Sequence, residues 1–159
     1  MMRFSFKDKW MEVGLTLLAL SMLSMLLPLF GQTTSTSKLT VRVTGARNAK
    51  GTIRFALFQD ATGFPENPAK ALLLRQAEID PQTLSAEVVF EDIPAGTYAV
   101  SVFHDENMNG KFDKNFVGAP KEGYGASNNP KKRIGPPLFD EAKFSVDGPD
   151  HVVEIKLNY

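Results

Sequence analysis

Ile93-Pro94-Ala95-Gly96-Thr97-Tyr98-Ala99-Val100-Ser101-Val102-Phe103-His104 is the stretch on which the fold turns. Pro94 and Gly96 punctuate the chain, and a run of alternating side chains follows at once. Tyr98, Val100 and Val102 share one face of that run, and Ala99, Ser101 and Phe103 share the other. Both faces are mostly apolar, which is what a central strand requires. A Pro-x-Gly-x-Tyr corner recurs in Greek-key sandwiches, where the tyrosine hydroxyl ties a crossing segment to the sheet. Tyr98 is therefore read as a corner residue and not as a catalytic one.

Strand signals flank this run. Leu39, Val41 and Val43 alternate with Thr40, Arg42 and Thr44, and Ile53, Phe55 and Leu57 alternate with Thr52, Arg54 and Ala56. With the turn-rich Gly45–Gly51 between them, the two read as a hairpin. Lys70–Ile79 is confined between Pro68 and Pro81 and is read as a strand. Ala86, Val88 and Phe90 make another. Phe144 with Val146, and Val153 with Ile155 and Leu157, lie around Asp147-Gly148-Pro149-Asp150. About seven strands with almost no helix predict an all-β protein, a Greek-key β-sandwich. The same strands would also close as a barrel.

Asp105 to Asp140 has no clear periodicity, and a loop of that length in a compact domain is functional or held by something. Its aromatic residues Phe112, Phe116, Tyr124 and Phe139 are expected to pack it onto the sheets. Its first part reads Asp105-Glu106-Asn107-Met108-Asn109-Gly110-Lys111-Phe112-Asp113. Oxygen side chains at loop positions 1, 3, 5 and 9, with glycine at 6, are the start of a calcium loop. The ligands would be Asp105, Asn107, Asn109, the carbonyl of Lys111, and Asp113. Position 12, where the pattern places a bidentate glutamate, is Phe116, so a further ligand would come from Asn115, Glu122 or water. Two carboxylates imply weak affinity, on the order of 10⁻⁴–10⁻³ M. The competing reading is a polar turn around Asn109-Gly110 whose side chains satisfy the loop backbone unaided.

Ahead of the first strand, Arg3, Lys7 and Lys9 precede an apolar run from Val13 to Phe30, and Gly31–Ser37 is small and polar. A basic start, an apolar stretch and a small-residue exit read as a secretory signal helix, with cleavage near Gly31–Thr34. The run is also long enough to serve as an uncleaved anchor. The expected organisation is a signal segment over 1–32, a linker over 33–38 and the sandwich over 39–159. The destination would be periplasm, cell surface or medium. Net charge is zero, which does not suit a nucleic-acid binder. The absence of cysteine excludes disulfides, thiolate nucleophiles and Cys-based metal sites.

Enzymatic chemistry finds little to use. Gly125-Ala126-Ser127-Asn128-Asn129 lacks the second glycine of a nucleophile elbow. Glu106, Glu122 and Asp140 would have to pair as acid and base, with His104 nearby.

Several segments taken together resemble one bacterial family. They are Ile93 to Val100, His104-Asp105-Glu106-Asn107, Asn109-Gly110-Lys111, Gly118 to Gly125, Ser127-Asn128-Asn129, Gly135-Pro136-Pro137 and Phe139. The family is domain-of-unknown-function family 2141, a group of exported domains, and the likeness covers Leu39 to Tyr159. The Pro-x-Gly-x-Tyr element alone is also similar to prealbumin-like and carboxypeptidase-regulatory-like sandwiches. The resemblance implies export and a β-sandwich. It implies no activity and supplies no catalytic residues.

The sequence thus leads to a non-enzymatic exported module, calcium-stabilised, that binds a protein or glycan of the cell envelope. It would touch a membrane only through an uncleaved N-terminal segment. Tyr124, Ser127, Asn128 and Asn129 form the expected contact surface. A hydrolase using His104 and the loop carboxylates is the alternative. A small-ligand carrier, the third option, requires an apolar cavity between the sheets.

Overall fold

The computed structural model describes residues 36–131 and 135–159. The expected signal segment lies outside the described residues. Among the described residues eight strands form two sheets: β1 (Thr36–Thr44), β2 (Thr52–Phe58), β3 (Leu73–Glu78), β4 (Ala86–Pro94), β5 (Gly96–Asp105), β6 (Tyr124–Ala126), β7 (Phe144–Val146) and β8 (Asp150–Lys156). One sheet has the order β4-β1-β8, and the other has the order β3-β2-β5-β6, with β7 also paired to β5. A 3-10 turn at Pro68–Lys70 and the single-turn helix α1 (Phe139–Ala142) are the helical pieces described.

Alternation explains the sandwich. Leu39, Val41 and Val43 from β1, Phe90 from β4 and Ile155 from β8 point inward. They meet Ile53, Phe55 and Leu57 from β2 and Tyr98, Val100 and Val102 from β5 in one buried cluster. β1 is central in its sheet, antiparallel to β4 and parallel to β8, with Val41 opposite Val153 and Val43 opposite Ile155.

Three expectations are corrected. β1 and β2 are not a hairpin. They lie in opposite sheets, because each has one apolar face and the two faces are buried against each other across the core. The connector is held close to β5: a Cβ at Gly51, which has φ +70°, would lie 1.9 Å from the Asp105 carbonyl oxygen. Secondly, residues 36–38 of the expected linker belong to β1. Thirdly, the long loop contains a strand, β6. It escapes the period-2 signal because it has three residues, the middle one glycine.

That loop crosses the outer face of the β3-β2-β5-β6 sheet. Phe64 sits edge-on between Phe58 and Phe139, at ring separations of 5.3 and 5.8 Å. Phe112 packs between Phe103 and Tyr124, at 5.7 and 5.9 Å. Such edge-to-face contacts add to the area that the rings bury. Phe112, Tyr124 and Phe139 therefore pack the loop down as expected, and Phe116 does not, being 100% exposed.

Ala95 carries the chain from β4 in one sheet to β5 in the other. Tyr98 is fully buried there, and its hydroxyl donates to the Pro94 carbonyl at 2.9 Å. Burial raises the pKa of this phenol, so it remains a donor. Tyr98→Phe keeps the ring and leaves that carbonyl without its partner. It should cost about 1–2 kcal/mol, read as a lower urea midpoint with an unchanged slope.

Candidate functional site

β5 ends on Asp105, whose side chain is fully buried. A buried carboxylate has to be satisfied by donors or a cation. Oδ1 accepts from Asn109 N at 3.0 Å. Oδ2 accepts from Gly110 N at 2.9 Å and from Arg54 Nε of β2 at 2.5 Å. The loop is thereby wound around its own first residue. Asn107 Oδ1 accepts from Asn109 N at 3.0 Å, and Asn109 Oδ1 accepts from Lys111 N at 2.7 Å. These are successive Asx turns. Gly110 sits at φ +76°, the left-handed conformation that the sharp bend needs.

Asp113 closes the group. Its Oδ2 accepts from the side-chain amides of Asn107 and Asn109 at 2.7 and 3.1 Å. The structure thus brings together Asp105, Asn107, Asn109 and Asp113. Lys111 joins through its backbone N–H. Phe116, at the twelfth position, points into solvent. Glu122 is buried beside the loop instead, accepting from Glu106 N at 3.2 Å and from Asp113 N at 3.1 Å. Among the described residues no three carboxylate or imidazole side chains converge as a metal cage.

His104 is fully buried. Nε2 lies 2.6 Å from the Lys50 carbonyl, which only accepts, so that nitrogen carries the proton. Nδ1 then accepts a hydrogen bond from the Tyr159 hydroxyl at 2.7 Å, and that hydroxyl accepts from Arg47 N at 3.0 Å. Arg47 also stacks on the Tyr159 ring at 4.8 Å. Its Nη2 lies 2.6 Å from Glu106 Oε1, an ion pair rather than a directed hydrogen bond. Partial burial pushes the Glu106 carboxyl upward, but the Asn48 amide and the Arg47 guanidinium outweigh it and leave it below its ordinary value. Asp140 is exposed and bonds Lys143 at 2.8 Å. Asp140 thus stands apart, whereas His104 and Glu122 are linked through Tyr159, Arg47 and Glu106, each held by internal partners. His151 stacks on Phe144 at 5.3 Å.

The segment expected to meet a partner is largely turned inward. Ser127 is fully buried, accepting from Val100 N at 2.9 Å and donating to the Ala142 carbonyl at 2.6 Å. Asn128 donates to the Lys143 carbonyl at 2.8 Å. Asn129 bridges to β8, donating to the Glu154 carbonyl at 2.9 Å and accepting from Lys156 N at 2.7 Å. Tyr124 is half-buried against Phe112. Exposed surface in this segment comes from Asn128 and Asn129. Two open surface depressions of about 370 and 400 Å³ are lined chiefly by polar and charged side chains, among them Arg42, Glu78 and Glu87 in one and Arg54, Arg75 and Gln76 in the other.

Sequence reading missed Arg54 as the counter-ion of Asp105 and Tyr159 as the partner of His104. An arginine at an outward strand position is ordinarily a solvated one. A C-terminal tyrosine carries no periodic signal.

Two outcomes follow from these contacts. Arg54→Ala leaves a buried carboxylate with two backbone donors and no cation. It should cost about 3 kcal/mol in chemical denaturation, the low end for such pairs, because the Arg54 side chain is 34% exposed. The depressed Glu106 carboxyl contributes stability above its ordinary value of 4.5, and the contribution is lost as pH falls through the lower folded value. Melting temperatures measured across that range should fall more steeply for the wild type than for Asn48→Ala.

No curated protein matches this chain, and no solved structure does. Residues 41–154 match the family described as "Uncharacterized protein conserved in bacteria (DUF2141)". The match spans β2 to β7, parts of β1 and β8, and the whole loop from Asp105 to Asp140, well over half of the sequence, and the chain belongs to that family.

Proposed function

We propose that the chain is an exported, non-catalytic β-sandwich module. It acts by contact with a protein or glycan of the cell envelope, and its Asp105–Asp113 loop takes calcium as a structural ion. Export rests on the basic, apolar and small-residue order of the first 37 residues. The observation that carries the non-catalytic reading is the commitment of the polar side chains to holding backbone. Both ring nitrogens of His104 are occupied, and both carboxylate oxygens of Glu122 accept from main-chain N–H groups. A general acid or base needs a free position toward a substrate. On the contact side, Asn128, Asn129 and the half-buried Tyr124 would meet the partner, with Ser127 supporting them from within.

The calcium reading is supported by four oxygen-bearing side chains gathered around a left-handed glycine at the required spacing. Two changes would accompany binding. The Asn107 and Asn109 amides would turn their oxygens toward the ion, and Asp105 Oδ2 would be shared with Arg54. Both changes work against binding and fit the weak affinity that the two carboxylates imply.

A thermal melt in chelator and then in calcium tests this. At a hundredfold excess over Kd the ion should add about 2.7 kcal/mol, a rise of roughly 10 °C for a domain of this size. Asp113→Ala should abolish the rise. No rise in the wild type would leave Arg54 as the only cation the loop uses.

A further inference from the structure

Phe116 and Val117 stand at the apex of the Asn115–Ala119 turn, 100% and 71% exposed. The turn is built to keep them there. Asn115 N donates to the Ala119 carbonyl at 2.8 Å, and Gly118 N donates to the Asn115 carbonyl at 2.9 Å. Asn115 Oδ1 also accepts from Val117 N at 3.0 Å and from Ala119 N at 2.9 Å. Lys114 and Pro120 bridge at its base. Four residues earlier, Phe112 is packed inward between two rings, so the loop sorts its aromatic residues rather than exposing them generally. Met108, in the adjoining turn, is 68% exposed.

Exposed lysines flank the apex along the chain. Lys111, Lys114 and Lys121 are all exposed. Glu66 pairs with Lys114. Asp113, the one carboxylate between Met108 and Lys121, is held by the Asn107 and Asn109 amides. An exposed apolar tip flanked by lysines is the pattern of an interfacial anchor on an anionic surface. The apex is convex and two residues wide. It offers a few hundred Å² at most, against about 800 Å² per partner for a stable protein interface. A lipid surface accepts a wedge of that size without a matching pocket.

We infer that the Asn115–Ala119 turn is a membrane-contact tip that inserts Phe116 and Val117 into the headgroup region of an anionic bilayer. The inserting pair lies outside the calcium loop, which adjoins it and supplies Lys111, and outside the Tyr124–Asn129 segment. It also does not depend on the N-terminal apolar run.

The absence of native cysteine permits a site-specific test on the full chain. Val117→Cys is labelled with an environment-sensitive fluorophore and titrated with phosphatidylcholine–phosphatidylglycerol vesicles. Asp147→Cys, beside the opposite end of β5, serves as the reference. The expected result is a blue shift at position 117 and none at 147. The shift should be screened by salt and weak on pure phosphatidylcholine. Adding Phe116→Ser should weaken the response about tenfold or more, with the melting temperature unchanged because Phe116 packs against nothing. Changing Lys111, Lys114 and Lys121 to Gln should remove the preference for anionic vesicles. The inference is overturned by a silent label at 117, by equal shifts at both positions, or by a response that Phe116→Ser leaves intact. Equal binding to neutral and anionic vesicles also overturns it. Anchoring through residues 13–30 alone would give the silent label and not the local shift.

Discussion

A carboxylate with no exposed surface stands at the end of the central strand β5, and the architecture of one end of the molecule follows from satisfying it. Asp105 takes a guanidinium from the neighbouring strand and two N–H groups from the loop that it begins. The first contact locks β2 to β5 at their shared end. The other two wind the chain into a tight turn. Once that turn is set, Asn107 and Asn109 face Asp113, and Asp113 N reaches Glu122. Each contact is modest by itself. The buried members, Asp105 and Glu122, depend on these donors, since losing one leaves a carboxylate oxygen short of a partner, while Asn107 and Asn109 are exposed.

The same logic extends along the rest of the irregular chain. A domain without disulfides has to hold a loop of some thirty-five residues by other means, and this one uses side chains as substitutes for sheet partners. Ser127 replaces a ladder bond for Val100 N, and Asn129 does so for β8. His104 joins β5 to the β1–β2 connector and the C-terminal Tyr159. Aromatic edges fill the spaces between these ties. Loop backbone needs hydrogen-bond partners whether or not it is in regular structure, and polar residues supply them here.

The regular strands were legible because their alternation survives in one dimension. Leu39-Val41-Val43 and Tyr98-Val100-Val102 declare a buried face, and the Pro94–Tyr98 corner declares where the chain changes sheet. Pairing was not legible. β1 and β2 look like a hairpin to any local reading, and only the core determines that their apolar faces oppose each other. The convergence of Asp105, Asn107, Asn109 and Asp113 was visible in their spacing, since a two-residue repeat closed by glycine has few ways to fold. The role of Ser127 and its asparagines was hidden. Small polar residues in a Gly-rich segment look the same whether they face a partner or a carbonyl, and the three-residue β6 that decides between these is too short to show a period.

This sorting of side chains bears on where function resides. The residues that invite a chemical reading, His104, Glu122, Asp105 and Ser127, are all buried, and all are occupied by internal partners. Of the exposed polar positions, Asn128 keeps one side of its amide on backbone and Asn129 keeps both. Phe116 has no such internal occupation. Its loop spends four hydrogen bonds on shaping the turn beneath it, and none of them involves its side chain. A phenylalanine held fully in water at a structured apex gives up burial worth roughly 1.5–3 kcal/mol. The nearby Phe112 position shows that the sheet surface can take such a ring. In a loop whose other aromatic rings, Phe112, Tyr124 and Phe139, all have inward partners, the exposed pair Phe116-Val117 is the exception.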